Sequence, residues 1–249
     1  MDNIKQQRQW MKSNFVEADD MESDQQLKLP QPPLQKPYDE NGEKIDLPKV
    51  NENILTNINI FDIFKDRISH RSFSSECISL EELSFLLWAT QGVKMVKGDN
   101  YATLRTVPSA GARHPFETYI VVNRVEGLKS GVYRYLPLTH QLLYIFEGEN
   151  LEERLSDLTL GQKFVGKSAV TFIWSVIPYR GEWRYNIVAH KTMILDAGHV
   201  CQNLYLACEA IGCGTCAIAA YDQKEFDRFL DLDGEDEFVI YLAPVGKIS

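Results

Sequence analysis

The sequence predicts an α+β fold. Three observations predict it: several short aromatic and β-branched runs, one long run of helical periodicity, and no regular strand–helix alternation between them. At 249 residues, 44% hydrophobic and 24% charged, the composition is that of a globular chain. The net charge of −9 argues against a nucleic-acid partner, because phosphate binding needs a basic surface.

The elements follow in order. Residues 1–58 hold half of the ten prolines, at Pro30, Pro32, Pro33, Pro37 and Pro48. Proline fixes φ and lacks an amide donor, so this stretch is neither regular helix nor central strand. It is either a flexible tail or an extended arm laid over the body or a partner subunit. The interspersed Leu27, Leu29, Leu34, Tyr38, Ile45, Leu47 and Val50 give an arm something to bury. From Asn59 to Ser249 the pattern is that of a folded domain. "IFDIFKDR" reads as a short amphipathic helix. "SLEELSFLLWATQG" opens on a capping box, Ser79 with Glu82 three residues on, and stops at Gly92. Phe116 to Asn123, Val132 to Leu136 and Leu142 to Phe146 read as strands, the last two joined as a hairpin. "NLEERLSDLTLG" is a helix closing on Gly161, and Ala169 to Ile177 is a fully buried strand.

A long helix is predicted from about Ile187 to Ile211, with Ile194, Ala197, Cys201, Leu204, Cys208 and Ile211 on one stripe. "DQKEFDRFLDL" is a further helix and "FVIYLAPVG" the last strand.

No apolar run exceeds the nine residues of Ala169 to Ile177, which is too short to cross a membrane. The N-terminus lacks a secretory pattern, and the five cysteines are an odd number, so free thiols and a cytoplasmic protein are expected. Two acidic blocks, Glu17/Asp19/Asp20/Glu22/Asp24 and Asp231 to Glu237, are read as solvated faces.

Several motifs carry no chemistry. "GCGTCA" matches a dinucleotide fingerprint, but a helix precedes it where a strand is required. Cys213 and Cys216 lack a second ligand pair for zinc. "DLDGEDE" has too few spaced oxygens for calcium. The five histidines show no metal spacing.

Three segments stand out. In "DRISHRSFS", Arg67, Ser69 and Arg71 alternate; in extended backbone they project to one side as an anion site, or else form a solvated loop. In "TVPSAGARHP", the small residues Ser109 to Ala112 after Pro108 allow close approach of backbone to a flat ligand, or make a plain turn. In "TCAIAAYD", Ala219 and Ala220 repeat the feature at a turn between two helices.

Together and in this order, from about Ile60 to Lys247, these segments resemble the nitroreductase family of flavoproteins, and within it the thiazoline-oxidase (SagB/ThcOx-type) branch. The Arg67-x-Ser69-x-Arg71-x-Phe73 segment is similar to the family's first flavin-binding motif. "PSAGARHPFETYIVV", "LLWATQGV", "LDAGHVCQNLYLACEAIGCGTCAIAAYD" and "LAPVGK" are similar to branch sequence. The resemblance implies a mainly antiparallel central sheet flanked by helices, with a long central helix. It implies a homodimer with FMN at the subunit interface, NADH or NADPH as electron donor, and a small organic substrate. By the same resemblance Arg67, Ser69 and Arg71 hold the FMN phosphate, ribityl chain and pyrimidine edge, with Lys247 a further phosphate contact. Pro108, Ser109, Ala110 and Ala112 reach the isoalloxazine of the other subunit, and the amide of Ala219 or Ala220 donates to flavin N5. Tyr185 and Lys191 are the candidate catalytic residues. Dedicated azoline oxidases carry a Lys-Tyr pair where this chain has Arg184-Tyr185, and an arginine stays protonated. The implied activity is hydride exchange through the flavin. The alternatives are a peptide azoline dehydrogenase working with a cyclodehydratase, and a non-catalytic flavin-binding protein.

Overall fold

The computed structural model describes residues 2–18 and 20–248. In chain order the elements are α1 (Asp2–Gln7), β1 (Lys44–Asp46), α2 (Ile60–Asp66), α3 (Leu80–Gln91), β2 (Val93–Lys97), β3 (Ala102–Arg105), β4 (Phe116–Val122), β5 (Gly131–Leu136), β6 (Gln141–Phe146), α4 (Leu151–Leu158), α5 (Lys163–Gly166), β7 (Val170–Val176), α6 (Tyr179–Tyr185), α7 (Ala189–Ala210), β8 (Cys213–Thr215), α8 (Gln223–Phe229) and β9 (Phe238–Lys247). The fold is α+β. Seven strands form one sheet in the order β1-β6-β5-β4-β7-β9-β8, and every pairing in it is antiparallel.

Alternation along the central strands builds two cores. Ile120 and Val122 of β4 and Phe172 and Trp174 of β7 face α3 and α7, joining Leu83, Leu87, Val200 and Leu204. Tyr119 and Val121, with Ile173 between the two β7 aromatics, face the opposite layer of Leu151, Leu155 and Phe226 from α4 and α8. Each such aliphatic side chain, fully buried, contributes roughly 1.5–3 kcal/mol. The capping box of α3 forms: the Ser79 hydroxyl accepts from the Glu82 amide, and the Glu82 carboxylate accepts from the Ser79 amide.

The Pro-rich segment lies along its own domain. β1 pairs with β6 at the sheet edge, where strand residues meet no second neighbour. Leu34 and Leu47 are buried, whereas Leu27 and Leu29 remain half exposed. The Arg105 guanidinium donates to the Leu34 carbonyl, and Arg134 donates to the carbonyls of Lys36 and Pro37.

Four expectations are corrected. Ile194 belongs by spacing to the apolar stripe of α7, but it is 61% exposed because it lies at the stripe's margin, where no element covers it. "GCGTCAIAAYD" is not a simple helix-to-helix turn, since Cys213–Thr215 adds a strand to the sheet. The acidic block ending at Glu237 is not wholly solvated: Glu237 is buried, paired with Lys36 and accepting from Ser175 at 2.6 Å. A second hairpin, β2–β3, occupies a stretch for which no element was expected. Asp19, in the other acidic block, lies outside the described residues. Among the described residues no helix is long and apolar enough to cross a membrane.

Candidate active site

α7 organises the candidate residues. Over its 22 residues it carries Asp196 near one end and Tyr205 further along. Nine residues at 1.5 Å rise separate the two by about 13 Å, and at 100° per residue they point to opposite sides.

Asp196 anchors the turn before β4. It is buried, and its Oδ2 accepts from the Ser109 hydroxyl at 2.7 Å and from the Ala110 amide at 3.0 Å. The Ser109 hydroxyl oxygen in turn accepts from the His114 amide at 2.9 Å. Burial pushes the Asp196 carboxyl above its ordinary value, and the two donors partly offset this. The turn itself is left-handed at Gly111 (φ +58), Ala112 (φ +54) and His114 (φ +45), which favours small residues. A Cβ on Gly111 would stand 2.7 Å from both Arg184 Cδ and the Tyr185 hydroxyl, so the end of α6 lies directly on this turn. Pro108 is exposed and Ala112 half-buried.

Tyr205 organises the second group. Its hydroxyl accepts from the Ala217 amide at 2.8 Å and lies 3.0 Å from the Ser69 hydroxyl, while the Arg67 guanidinium stands 5.3 Å from its ring centroid. The Ser69 and Tyr205 hydroxyls share one hydrogen bond, in which either oxygen can be the donor. Arg67 and Ser69 thus come to one side, as alternation in extended backbone requires. His70 points the other way, to Glu209 at 3.6 Å. Arg71 is exposed and makes no ion pair among the described residues. Phe73 packs against the backbone of Gly246 in β9.

The turn after β8 completes this side. The Ile218 amide donates to the Leu242 carbonyl, but the amides of the exposed Ala219 and Ala220 find no protein acceptor among the described residues. Lys247 is differently placed: its ammonium pairs with the Glu82 carboxylate, so its charge is met within the chain. Lys191 turns toward the N-terminal segment and donates to the Met11 carbonyl at 2.6 Å, whereas Tyr185 lies on the Gly111 turn. The structure therefore brings one candidate catalytic residue to the turn and directs the other elsewhere.

Arg113 and His114 are both buried. The Arg113 guanidinium donates to the carbonyls of Gly111 and Tyr101 and lies over the Tyr101 and Trp183 rings. Burial pushes the thiols of Cys201 and Cys213 up to about 12, so they are held neutral. Sequence reasoning missed Asp196, Tyr205 and Tyr101. For the first, an acid on the inward stripe of a helix was the available signal.

An antiparallel sheet flanked by helices, with small-residue turns packed along one long helix, defines the α+β class of this fold. The family model for the nitroreductase family matches residues 64–247, and the chain belongs to that family. A protein of Methanocaldococcus jannaschii named as a nitroreductase is 32% identical over 204 residues, covering 82% of this chain and 96% of its own length. A trifolitoxin-processing protein of Rhizobium leguminosarum bv. trifolii is 29% identical over 136 residues, 52% of this chain and 36% of its own. The crystal structure of a nitroreductase-type protein from Ralstonia eutropha superposes with a TM-score of 0.68 at 23% identity, covering 89% of this chain and 95% of the other.

Proposed function

We propose that this protein is an FMN-dependent oxidoreductase that exchanges hydride between NADH or NADPH and a small organic substrate, and that it acts as a homodimer. The observation that carries the reading is the pair of exposed amides at Ala219 and Ala220, which meet no protein acceptor among the described residues, in a turn whose Ala217 and Ile218 amides are engaged. Such donors suit the acceptor edge of a flat heterocycle. The Ser69 hydroxyl and the Arg67 guanidinium, brought together at Tyr205, suit a phosphate and its sugar-like chain.

When bound, FMN supplies reversible hydride acceptance at ring atom N5. Arg67 and Ser69 hold the phosphate and ribityl end. Arg71 at the pyrimidine edge stabilises negative charge there and so favours the reduced ring. The amide of Ala219 or Ala220 orients N5. Pro108, Ser109, Ala110 and Ala112 keep bulk away from the ring of the other subunit. The homodimer is supported by the apolar residues left uncovered on α2 and α7: Phe61, Phe64, Ile194 and Leu195 are each more than half exposed.

The test is anaerobic mixing of the FMN-reconstituted protein with NADH and with NADPH. Bleaching of the visible flavin band, and its return on adding an acceptor, is expected. Protein that is colourless and gains no flavin band from added FMN overturns the reading.

A second reading is azoline dehydrogenation beside a cyclodehydratase, favoured by the similarity to the trifolitoxin-processing protein. Arg184 speaks against it, because a guanidinium cannot take up the proton that azoline oxidation releases. Oxidation of an azoline peptide by the purified protein would establish it.

A further inference from the structure

We propose that Arg184 and Tyr101 form an anion subsite beside the Gly111 turn, which selects substrates that carry a carboxylate in addition to the reducible group. The proposal rests on the oxidoreductase reading above and names its substrate class.

The Tyr101 hydroxyl oxygen accepts two hydrogen bonds, from Arg184 Nη1 at 2.9 Å and from Gln25 Nε2 at 2.8 Å. Both lone pairs are then occupied, and its own proton is free to donate. Arg184 uses one of its five donors in this contact; the others meet no protein acceptor among the described residues. Its guanidinium also lies 5.4 Å from the Tyr185 ring centroid, which holds the planar group in place. Gly111 makes room for it: Arg184 Nε stands 2.8 Å from where a Cβ would be. The remaining Arg184 donors and the Tyr101 proton are thus taken up by no protein acceptor among the described residues.

The charge balance points the same way. Arg113 and Arg184 flank the same tyrosine, and neither meets a carboxylate within salt-bridge distance among the described residues. Arg180, by contrast, is met by Glu117 at 2.6 Å. This is an unneutralised positive spot in a chain with 35 acidic and 26 basic residues. Burial holds the Arg113 guanidinium below its ordinary value; Tyr101 opposes this and the nearby Arg184 adds to it. A planar fork matches a carboxylate bidentately, and the tyrosine proton adds a third donor. Because arginine stays protonated, the group binds and orients; it does not move a proton.

The test compares para-nitrobenzoate with its uncharged methyl ester as acceptors for the FMN-loaded wild type, Arg184→Gln and Arg184→Lys. The wild type is expected to favour the carboxylate in kcat/KM by about tenfold or more, the usual scale of a charged hydrogen bond. Arg184→Gln should erase that preference, and Arg184→Lys should keep part of it. Equal ratios in wild type and Arg184→Gln, or a wild-type preference for the ester, overturn the proposal. Failure of both nicotinamides to reduce the flavin would instead count against the oxidoreductase reading. The Kd of para-nitrobenzoate, measured by calorimetry, still reads the subsite in that case. A tenfold weakening in Arg184→Gln supports it; equal values, or no binding to the wild type, overturn it.

Discussion

The Ser109 hydroxyl and the Ala110 amide both donate to one oxygen of Asp196, over 2.7 and 3.0 Å, so a single buried carboxylate on α7 fixes the turn that precedes β4. Replacing it by alanine leaves both donors without an acceptor. Asp196→Ala is expected to lose about 1–3 kcal/mol in urea unfolding. Asp196→Asn retains an acceptor oxygen and should lose clearly less. If both variants match the wild type, the turn holds without this anchor.

Gly111 is a position where a side chain is poorly tolerated. Its backbone is left-handed and the space above it is filled by Arg184 and Tyr185. Gly111→Ala is expected to destabilise by about 1–2 kcal/mol and to displace Arg184. Thermal melting reads the first effect and a crystal structure of the variant the second.

His114 makes stability depend on pH. Burial first, then the neighbouring Arg105, lower its pKa to about 3, against about 6.5 for an exposed histidine. Between these values the unfolded chain binds the extra proton. The stabilising effect of the neutral ring is therefore complete above pH 6.5 and is lost as pH falls toward 3, by up to about 1.4 kcal/mol per pH unit. Asparagine tolerates the left-handed backbone and does not titrate, so His114→Asn should flatten the stability curve over this range. Parallel curves for the two proteins would refute the assignment.

Lys36 ties the Pro-rich segment to the domain. Its ammonium pairs with the buried Glu237, while its amide donates to Glu117 at 2.8 Å. Burial alone would raise the Glu117 carboxyl; Arg180 and Arg134 beside it, with the Lys36 amide, hold it below its ordinary value. Lys36→Met strands the Glu237 carboxylate and is expected to cost about 1–3 kcal/mol, with faster proteolysis near residues 27–36. Adding Glu237→Gln to that variant should recover part of the loss. Unchanged proteolysis would show that the ion pair does not hold the segment down.

Much of the fold was legible because periodicity reports burial directly. The Ser79/Glu82 cap, the buried β7 and the long α7 all follow from side-chain patterns within one element. β2 and β3 were not legible, since "VKMVK" is largely exposed and its pairing with "ATLR" has no apolar alternation to mark it. The same holds at the site. Arg67, Ser69 and the small-residue turns were visible as local patterns. Tyr205 was not: its role depends on Ala217, Ser69 and Arg67 arriving from separate segments. Asp196 joins residues 86 and 87 positions away, which no local window contains.

Placing Asp196 and Tyr205 on one helix makes α7 a ruler as well as a wall. Both groups are attached to a rod whose length and twist are set by backbone hydrogen bonds. One residue inserted between them would turn one group about 100° relative to the other and shift it by about 1.5 Å. Side chains on the helix can be exchanged without that penalty. The count of residues from Asp196 to Tyr205 is therefore a stricter requirement than the identity of most residues between them.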